Sequence, residues 1–220
     1  MSRLLFSKTG RAKYISHLDL MRTFQRAFQR ADLTIQHTEG FNPHPFISIL
    51  LPLSLGFSSE CEILDFQLLD SVPPEEVPQR LNRALPEGIA VKRCYEGGRK
   101  AKELALVDYR LTLEYDGCVP SGAAQAWSEL LGRERLEVAK KSKKSKTGET
   151  AVDVIPLVKS FAVTEEPDAV ILDARLSAQN PGLNPQLLTA VLEREYPALK
   201  PNFVRYHRRT VLDGAGNLFQ

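Results

Sequence analysis

Strand-length apolar runs at residues 2–7, 46–51, 62–69 and 89–95 are separated by two helical patterns, one after the first run and one after the third. The first pattern covers 17–31, where Met21, Phe24, Phe28 and Ala31 recur at helical spacing and form one buried stripe. Ser16, with Asp19 three residues on, gives it a capping-box start. The second runs from Pro74 to about Leu85, with Val77, Leu81, Ala84 and Leu85 inward and Pro78 tolerated because it falls in the first turn. Gly56, within the 52–59 link, suits a hairpin between the second and third runs, and Gly88 ends the second helix. The order β-α-β-β-α-β calls for an antiparallel sheet with both helices on one face.

Gly97-Gly98-Arg99-Lys100 reads as a linker, after which a second set begins. Residues 107–115 alternate so that Tyr109, Leu111, Leu113 and Tyr115 share a face, and 123–131 is a helix carrying Trp127. A short strand at 136–139 leads into a lysine-rich loop at 140–148; strands at 152–164 and 169–177, a helix at 184–196 and a strand at 203–212 complete the chain. The expected class is α+β, built as two tandem ferredoxin-like (β-α-β-β-α-β) halves with antiparallel sheets, 1–96 and 106–220, joined by 97–105. The halves show no residue-level repeat, so any duplication is one of architecture.

Hydrophobic residues are 43% and charged residues 25% of the chain, as in ordinary globular proteins. The net charge of +2 indicates no partner, but its distribution does. Residues 1–30 carry Arg3, Lys8, Arg11, Lys13, Arg22, Arg26 and Arg30 against Asp19 alone, whereas 60–87 are acidic. A local basic field attracts a polyanion without a high net charge. Cys61, Cys94 and Cys118 have neither metal-ligand nor disulfide-framework spacing and read as reduced thiols. No apolar run approaches the roughly 20 residues that span a bilayer, and no signal-peptide core opens the chain, so a cytoplasmic protein without membrane contact is expected.

Candidate binding residues concentrate near the start. In the basic turn 8–13, Lys8, Arg11 and Lys13 flank a glycine, which suits an anion nest but is not a P-loop. Arg22, Arg26 and Arg30 recur every fourth residue, about 6 Å apart along one side of a helix, a spacing that roughly matches successive phosphates of a single strand. His17 falls at the first turn of that helix, where the dipole favours a neutral ring able to act as a base. His44, between Pro43 and Pro45, and Asn42 sit in a stiff loop that presents side chains at low entropic cost. His37 reads as a surface residue. Lys141, Lys143 and Lys144 in the lysine-rich loop, and Arg205 and Arg209 beside Tyr206 on the last strand, are further cationic candidates. Each also has a plainer reading, as a solvated helix face, a turn-ordering histidine or a protected strand edge. With no carboxylate cluster at ligand spacing beside the histidines, no metal site is expected.

The run Phe6-Ser7-Lys8-Thr9-Gly10, Tyr14-Ile15-Ser16-His17-Leu18-Asp19-Leu20, Arg26-Ala27 and Gly40-Phe41-Asn42-Pro43-His44-Pro45, followed by Leu51-Pro52-Leu53 and Gly56, resembles the radical SAM-linked family of uncharacterised bacterial proteins. The resemblance implies a stand-alone accessory subunit whose partner, a radical S-adenosylmethionine (SAM) enzyme, holds the iron–sulfur cluster and SAM; it implies no cofactor and assigns no catalytic residues in this chain. The chain lacks C-x-x-x-C-x-x-C and is not expected to be such an enzyme itself. A looser likeness of fold and position runs to repeat-cleaving CRISPR endoribonucleases. The leading expectation is an accessory RNA-binding protein that presents an RNA, tRNA or rRNA, to the radical SAM partner. Two alternatives stand beside it: a metal-independent endoribonuclease using His17 and His44, and a protein-docking subunit that binds no nucleic acid.

Overall fold

The computed structural model describes residues 1–141 and 149–220. Its fold is α+β. The chain divides into two compact units. The first takes in Met1–Glu103 together with Arg208–Thr210 and Leu218–Gln220; the second takes in Leu104–His207 and Val211–Asn217. The stretch expected as a linker therefore falls with the first unit up to Glu103, and two short pieces from the far end of the chain return to that unit.

The first unit runs β1 (Ser2–Lys8), α1 (His17–Arg30), β2 (Ile47–Leu50), β3 (Ser58–Phe66), α2 (Glu76–Ala84) and β4 (Ile89–Glu96). Its strands lie in the order β4-β1-β3-β2, and each pairing is antiparallel. The predicted start of α1 is present: Ser16 Oγ accepts from the Asp19 backbone N–H at 3.1 Å and donates to Asp19 Oδ2 at 2.7 Å. Leu20, Phe24, Ala27 and Phe28 of α1 and Val77 and Leu81 of α2 bury one face of the sheet, meeting Leu4 and Phe6 of β1 and Leu64 and Phe66 of β3. The rings of Phe6 and Phe24 meet edge-on with centres 4.8 Å apart. β3 begins earlier than the apolar pattern indicates because Ser59 pairs opposite Lys8, and it ends at Phe66, after which Leu68 makes only an isolated bridge to Ile35.

The second unit runs β5 (Leu104–Glu114), α3 (Ala123–Leu131), β6 (Glu137–Lys141), β7 (Glu149–Asp153), β8 (Val158–Glu165), β9 (Ala169–Ser177), α4 (Gln186–Glu195) and β10 (Phe203–Asp213). Its strand order is β10-β5-β9-β8, with β6 and β7 forming a separate two-stranded sheet. The expected single strand at 152–164 is thus two strands. Pro156, which has no N–H to donate, lies in a 3-10 turn, Ile155–Leu157, that divides them. As the alternation predicts, Tyr109, Leu111, Leu113 and Tyr115 are all buried, and so is Trp127 of α3. The other face of β5 and β9 carries two crossed ion pairs between directly opposed residues, Arg110 with Asp173 at 2.7 Å and Arg175 with Asp108 at 2.7 Å.

Phe24, fully buried at the centre of the first core, should be costly to truncate. Phe24→Ala is expected to destabilise the chain by about 3–5 kcal/mol, measured by urea denaturation with the slope held to the wild-type value.

Candidate functional site

β1 delivers the chain into a tight turn that the sequence dictates closely. The Thr9 N–H donates to Gly88 O at 2.7 Å, and a 3-10 turn, Gly10–Tyr14, follows. Gly88 has φ +85°, and a Cβ there would stand 2.5 Å from Thr9 O, so the turn packs this closely only against glycine. Lys8 faces inward beneath the turn. It is 1% exposed and its Nζ donates to Ile15 O at 2.8 Å, while burial pushes its pKa below the usual lysine value and Glu62 pulls the other way. Lys8 is therefore a buried brace for the turn, which corrects its sequence reading as a phosphate contact.

Beneath the same turn lies a buried charge pair. Arg208 Nη1 donates to Glu62 Oε1 and to Leu51 O, both at 2.8 Å, with Arg208 3% and Glu62 1% exposed. Leu51 itself has φ +51°, a conformation that a residue with a Cβ adopts only when its surroundings enforce it. Beyond it, the 51–57 segment comes back so that the Gly56 N–H donates to Lys13 O at 2.9 Å. Cys61, next along β3, is pushed up to about 12, first by burial and then by Glu62.

Above this floor, Arg11 is exposed and Lys13 Nζ stands 5.1 Å from the centre of the Tyr14 ring. Tyr14, Leu18 and Leu55 are each at least 60% exposed, an apolar presence that the sequence reading missed. Its signal was available, because Leu18 falls off the Met21, Phe24, Phe28 stripe. His17 is exposed at the first turn of α1. Arg22 is engaged by Asp19 at 3.2 Å, a solvent-exposed pair of little energetic worth. The hydrogen bond from Ser16, and then Arg22, hold the Asp19 carboxyl below its ordinary pKa. Arg11, Arg26 and Arg30 are exposed and, among the described residues, make no hydrogen bond or ion pair.

The 40–45 loop lies elsewhere. His37 bridges to Pro45, the Thr38 N–H donates to His44 O at 2.8 Å and Thr38 Oγ1 lies 3.0 Å from His44 Nδ1, so the loop is the tip of a small hairpin with Phe41, Asn42 and His44 in solvent. Ile47 pairs with Phe66, and Phe66 with Ser2, which places the loop at the beginning of β1, whereas His17 follows its end. His17 opens the 14-residue α1, about 20 Å of helix, and His44 lies beyond its far end. The structure does not bring them together as an acid–base pair. Arg30, at the far end of α1, shares the loop's end of the unit.

In the second unit Arg205 is ion-paired with Glu114. Tyr206 shares a 2.7 Å hydrogen bond with Thr189 of α4, and burial raises its pKa, so its ring is packed rather than offered for stacking. Arg209 is exposed. Lys141 closes β6; its side chain, and the whole of Lys143 and Lys144, lie outside the described residues. Among the described residues no group of three or more His, Cys, Asp or Glu could hold a metal ion, and no helix is long and apolar enough to cross a membrane.

The profile of a family described as "uncharacterized protein conserved in bacteria (DUF2344)" matches residues 2–185. The chain belongs to this family. The family match takes in the β1–α1 turn, all of α1 and the 40–45 loop and stops before β10, so Arg205, Arg208 and Arg209 lie outside it. No curated protein matches the chain. Among solved structures, a chain of the "Crystal Structure of a Cbf5-Nop10-Gar1 Complex" is similar with a TM-score of 0.53 and 11% identity, covering 96% of this chain and 48% of that one. This is a likeness of fold alone, and this chain spans about half the length of the other. The "Crystal Structure of an Unknown Protein from Galdieria sulphuraria" is 13% identical over 94% of this chain and 96% of that chain, with a TM-score of 0.27 that carries no argument.

Two outcomes check the site's floor. Glu62→Gln leaves Arg208 buried without its counter-charge and should cost about 3–5 kcal/mol in urea denaturation. In thiol labelling of the native protein at pH 8, the exposed Cys118 should react while Cys61, at about 12, and Cys94, at about 11, stay protected; rapid reaction of all the thiols would contradict this arrangement.

Proposed function

We propose that this chain is an accessory RNA-binding subunit that presents an RNA to a radical SAM enzyme. The observation that supports it most is the set of exposed cations without ion-pair partners among the described residues: Arg11, on a turn braced by a buried floor, and Arg26 and Arg30 on α1. Cations that a protein leaves unneutralised in a row are available to release counterions from a phosphate backbone. Tyr14, exposed beside Lys13, supplies a face on which a base can stack. Asn42 and His44 extend the same surface at the Arg30 end. The RNA is a tRNA or rRNA in this reading, and the iron–sulfur cluster and SAM belong to the partner. The partner enters through the sequence resemblance, and the exposed Leu18 and Leu55 offer it apolar contacts.

The architecture behind this reading is two tandem ferredoxin-like halves. Each unit follows β-α-β-β-α-β, with the hairpin β6–β7 added in the second, and, that hairpin aside, each has its fourth, first, third and second strand side by side. The endoribonuclease reading loses support because His17 and His44 lie at opposite ends of α1.

Replacing Arg11, Arg26 and Arg30 together by Gln should weaken binding of cellular RNA and flatten its salt dependence, lowering the log–log slope by about 2 for three lost contacts to a single strand. Lys8→Met removes the brace on Ile15 O but no phosphate contact, so it should weaken binding while leaving the slope unchanged. Filter binding at two salt concentrations reads both, and an unaltered slope in the triple variant would sink the proposal.

A further inference from the structure

A cavity of about 240 Å³ opens where α1 ends, within the first unit. Its floor is apolar: Phe28, Leu33 and Ile35 line it, and each is at most 4% exposed. α1 and the residues just after it contribute Gln25, Gln29 and Asp32, and the small hairpin contributes His37 and Pro45. Among the described residues the side chains of Gln25, Gln29 and Asp32 make no hydrogen bond or ion pair. The neutral His37 ring donates from Nδ1 to Ile35 O at 3.2 Å, which leaves Nε2 as its acceptor. Asp32 has φ +53° just past the end of the helix, where glycine or asparagine is the usual residue. The fold alone therefore asks for no carboxylate at that position.

An apolar cavity edged by a few unpaired polar groups is the common form of a small-ligand site, and sites for drug-sized ligands hold roughly 300–1,000 Å³. This one is smaller, with room for one ring system rather than a whole nucleotide. By helix geometry Gln25 and Gln29 form a row between the buried Phe24–Phe28 stripe and the exposed Arg26–Arg30 row. A strand whose phosphates lie on Arg26 and Arg30 therefore runs beside the cavity. Asp32 narrows the choice of base. A carboxylate accepts hydrogen bonds but donates none, and beside a phosphate backbone it repels unless donors meet it. Of the four RNA bases only guanine sets two donors, N1–H and an N2 amino hydrogen, side by side on one edge, the fork that fits a carboxylate. Its O6 and N7 are acceptors, which the side-chain amides of Gln25 and Gln29 can meet as donors.

We propose that this cavity takes the base of an unpaired guanine in the RNA carried on α1, an inference that rests on the RNA-binding reading above. Asp32 pairs with N1–H and N2–H, Gln25 and Gln29 meet the acceptor edge, and the ring lies over Phe28, Leu33 and Ile35. Arg26 and Arg30 hold the flanking phosphates, so the arginines supply affinity and the cavity supplies base preference.

Filter binding of the full chain to oligouridylates carrying a single central G, A or C tests the cavity. The wild type should prefer the G oligonucleotide about tenfold. Asp32→Asn keeps a residue that tolerates the left-handed backbone and should abolish the preference. Because it also removes a negative charge, the ratio between oligonucleotides is read rather than the affinity. Equal binding, a preference for A or C, or a G preference that survives Asp32→Asn overturns the cavity and leaves the arginine surface standing. If none of the oligonucleotides binds, the arginine surface fails, and guanosine, which carries no phosphate, decides the cavity by itself. Guanosine, and not adenosine, should then shift the His37 ring resonances in the NMR spectrum; unshifted resonances overturn the cavity.

Discussion

Arg208 and Glu62 have each left water completely, and neither is tolerable in the interior without the other. Much of the first unit is arranged around that pairing. The same guanidinium that neutralises Glu62 holds Leu51 O, and Leu51 is where the backbone enters the left-handed region and turns into the 51–57 segment. That segment returns to hold Lys13 O through the Gly56 N–H, while Lys8 holds Ile15 O from below. The turn bearing Arg11 and Tyr14 is therefore fixed from two sides before any ligand arrives, which lowers the ordering cost of binding there. A residue far along the chain thus decides how its opening segment is presented.

Features that rest on local chemistry were legible in the sequence. The Ser16–Asp19 cap, the apolar stripe of α1 and the inward tyrosines and leucines of β5 each depend on neighbours a few residues apart. What depends on register was not legible. The two polar residues that open β3, Ser58 and Ser59, are strand because of where β1 ends, not because of their own propensity. His17 and His44 look close in sequence, yet the pairing of Ile47 with Phe66 sends the second to the opposite end of the unit. Lys8 lies two residues beyond Phe6 and four beyond Leu4, both inward, so its burial could have been read from alternation; the neighbouring cations of the turn masked the signal. The Glu62–Arg208 pair, 146 residues apart, leaves no local trace.

The molecule uses its arginines in two ways. On the sheets they stand opposite aspartates as bidentate pairs, Arg3 with Asp65 in the first unit and Arg110 with Asp173 in the second. In both cases the arginine is on the unit's first strand and, with the β6–β7 hairpin set aside, the aspartate is on its third, a residue-level echo between halves that otherwise show no repeat. On α1, by contrast, Arg26 and Arg30 face solvent with no acid to meet them among the described residues. Arginines that serve the fold are neutralised, and those left charged mark a surface turned outward.

The crossed pairs of β5 and β9 also determine which mistakes the second unit can make. A slip by one residue would turn Tyr109, Leu111 and Leu113 out to solvent, so the smallest slip that keeps the apolar face inward is two residues. In one direction that slip sets Asp108 against Asp173, and in the other it sets Arg110 against Arg175. Like charges directly opposed repel, so both near-miss alignments are penalised while the native one gains two attractions. Swapping the ends of either pair alone, Arg for Asp and Asp for Arg, would keep its own attraction but set opposite charges together in both misalignments, so that neither is penalised.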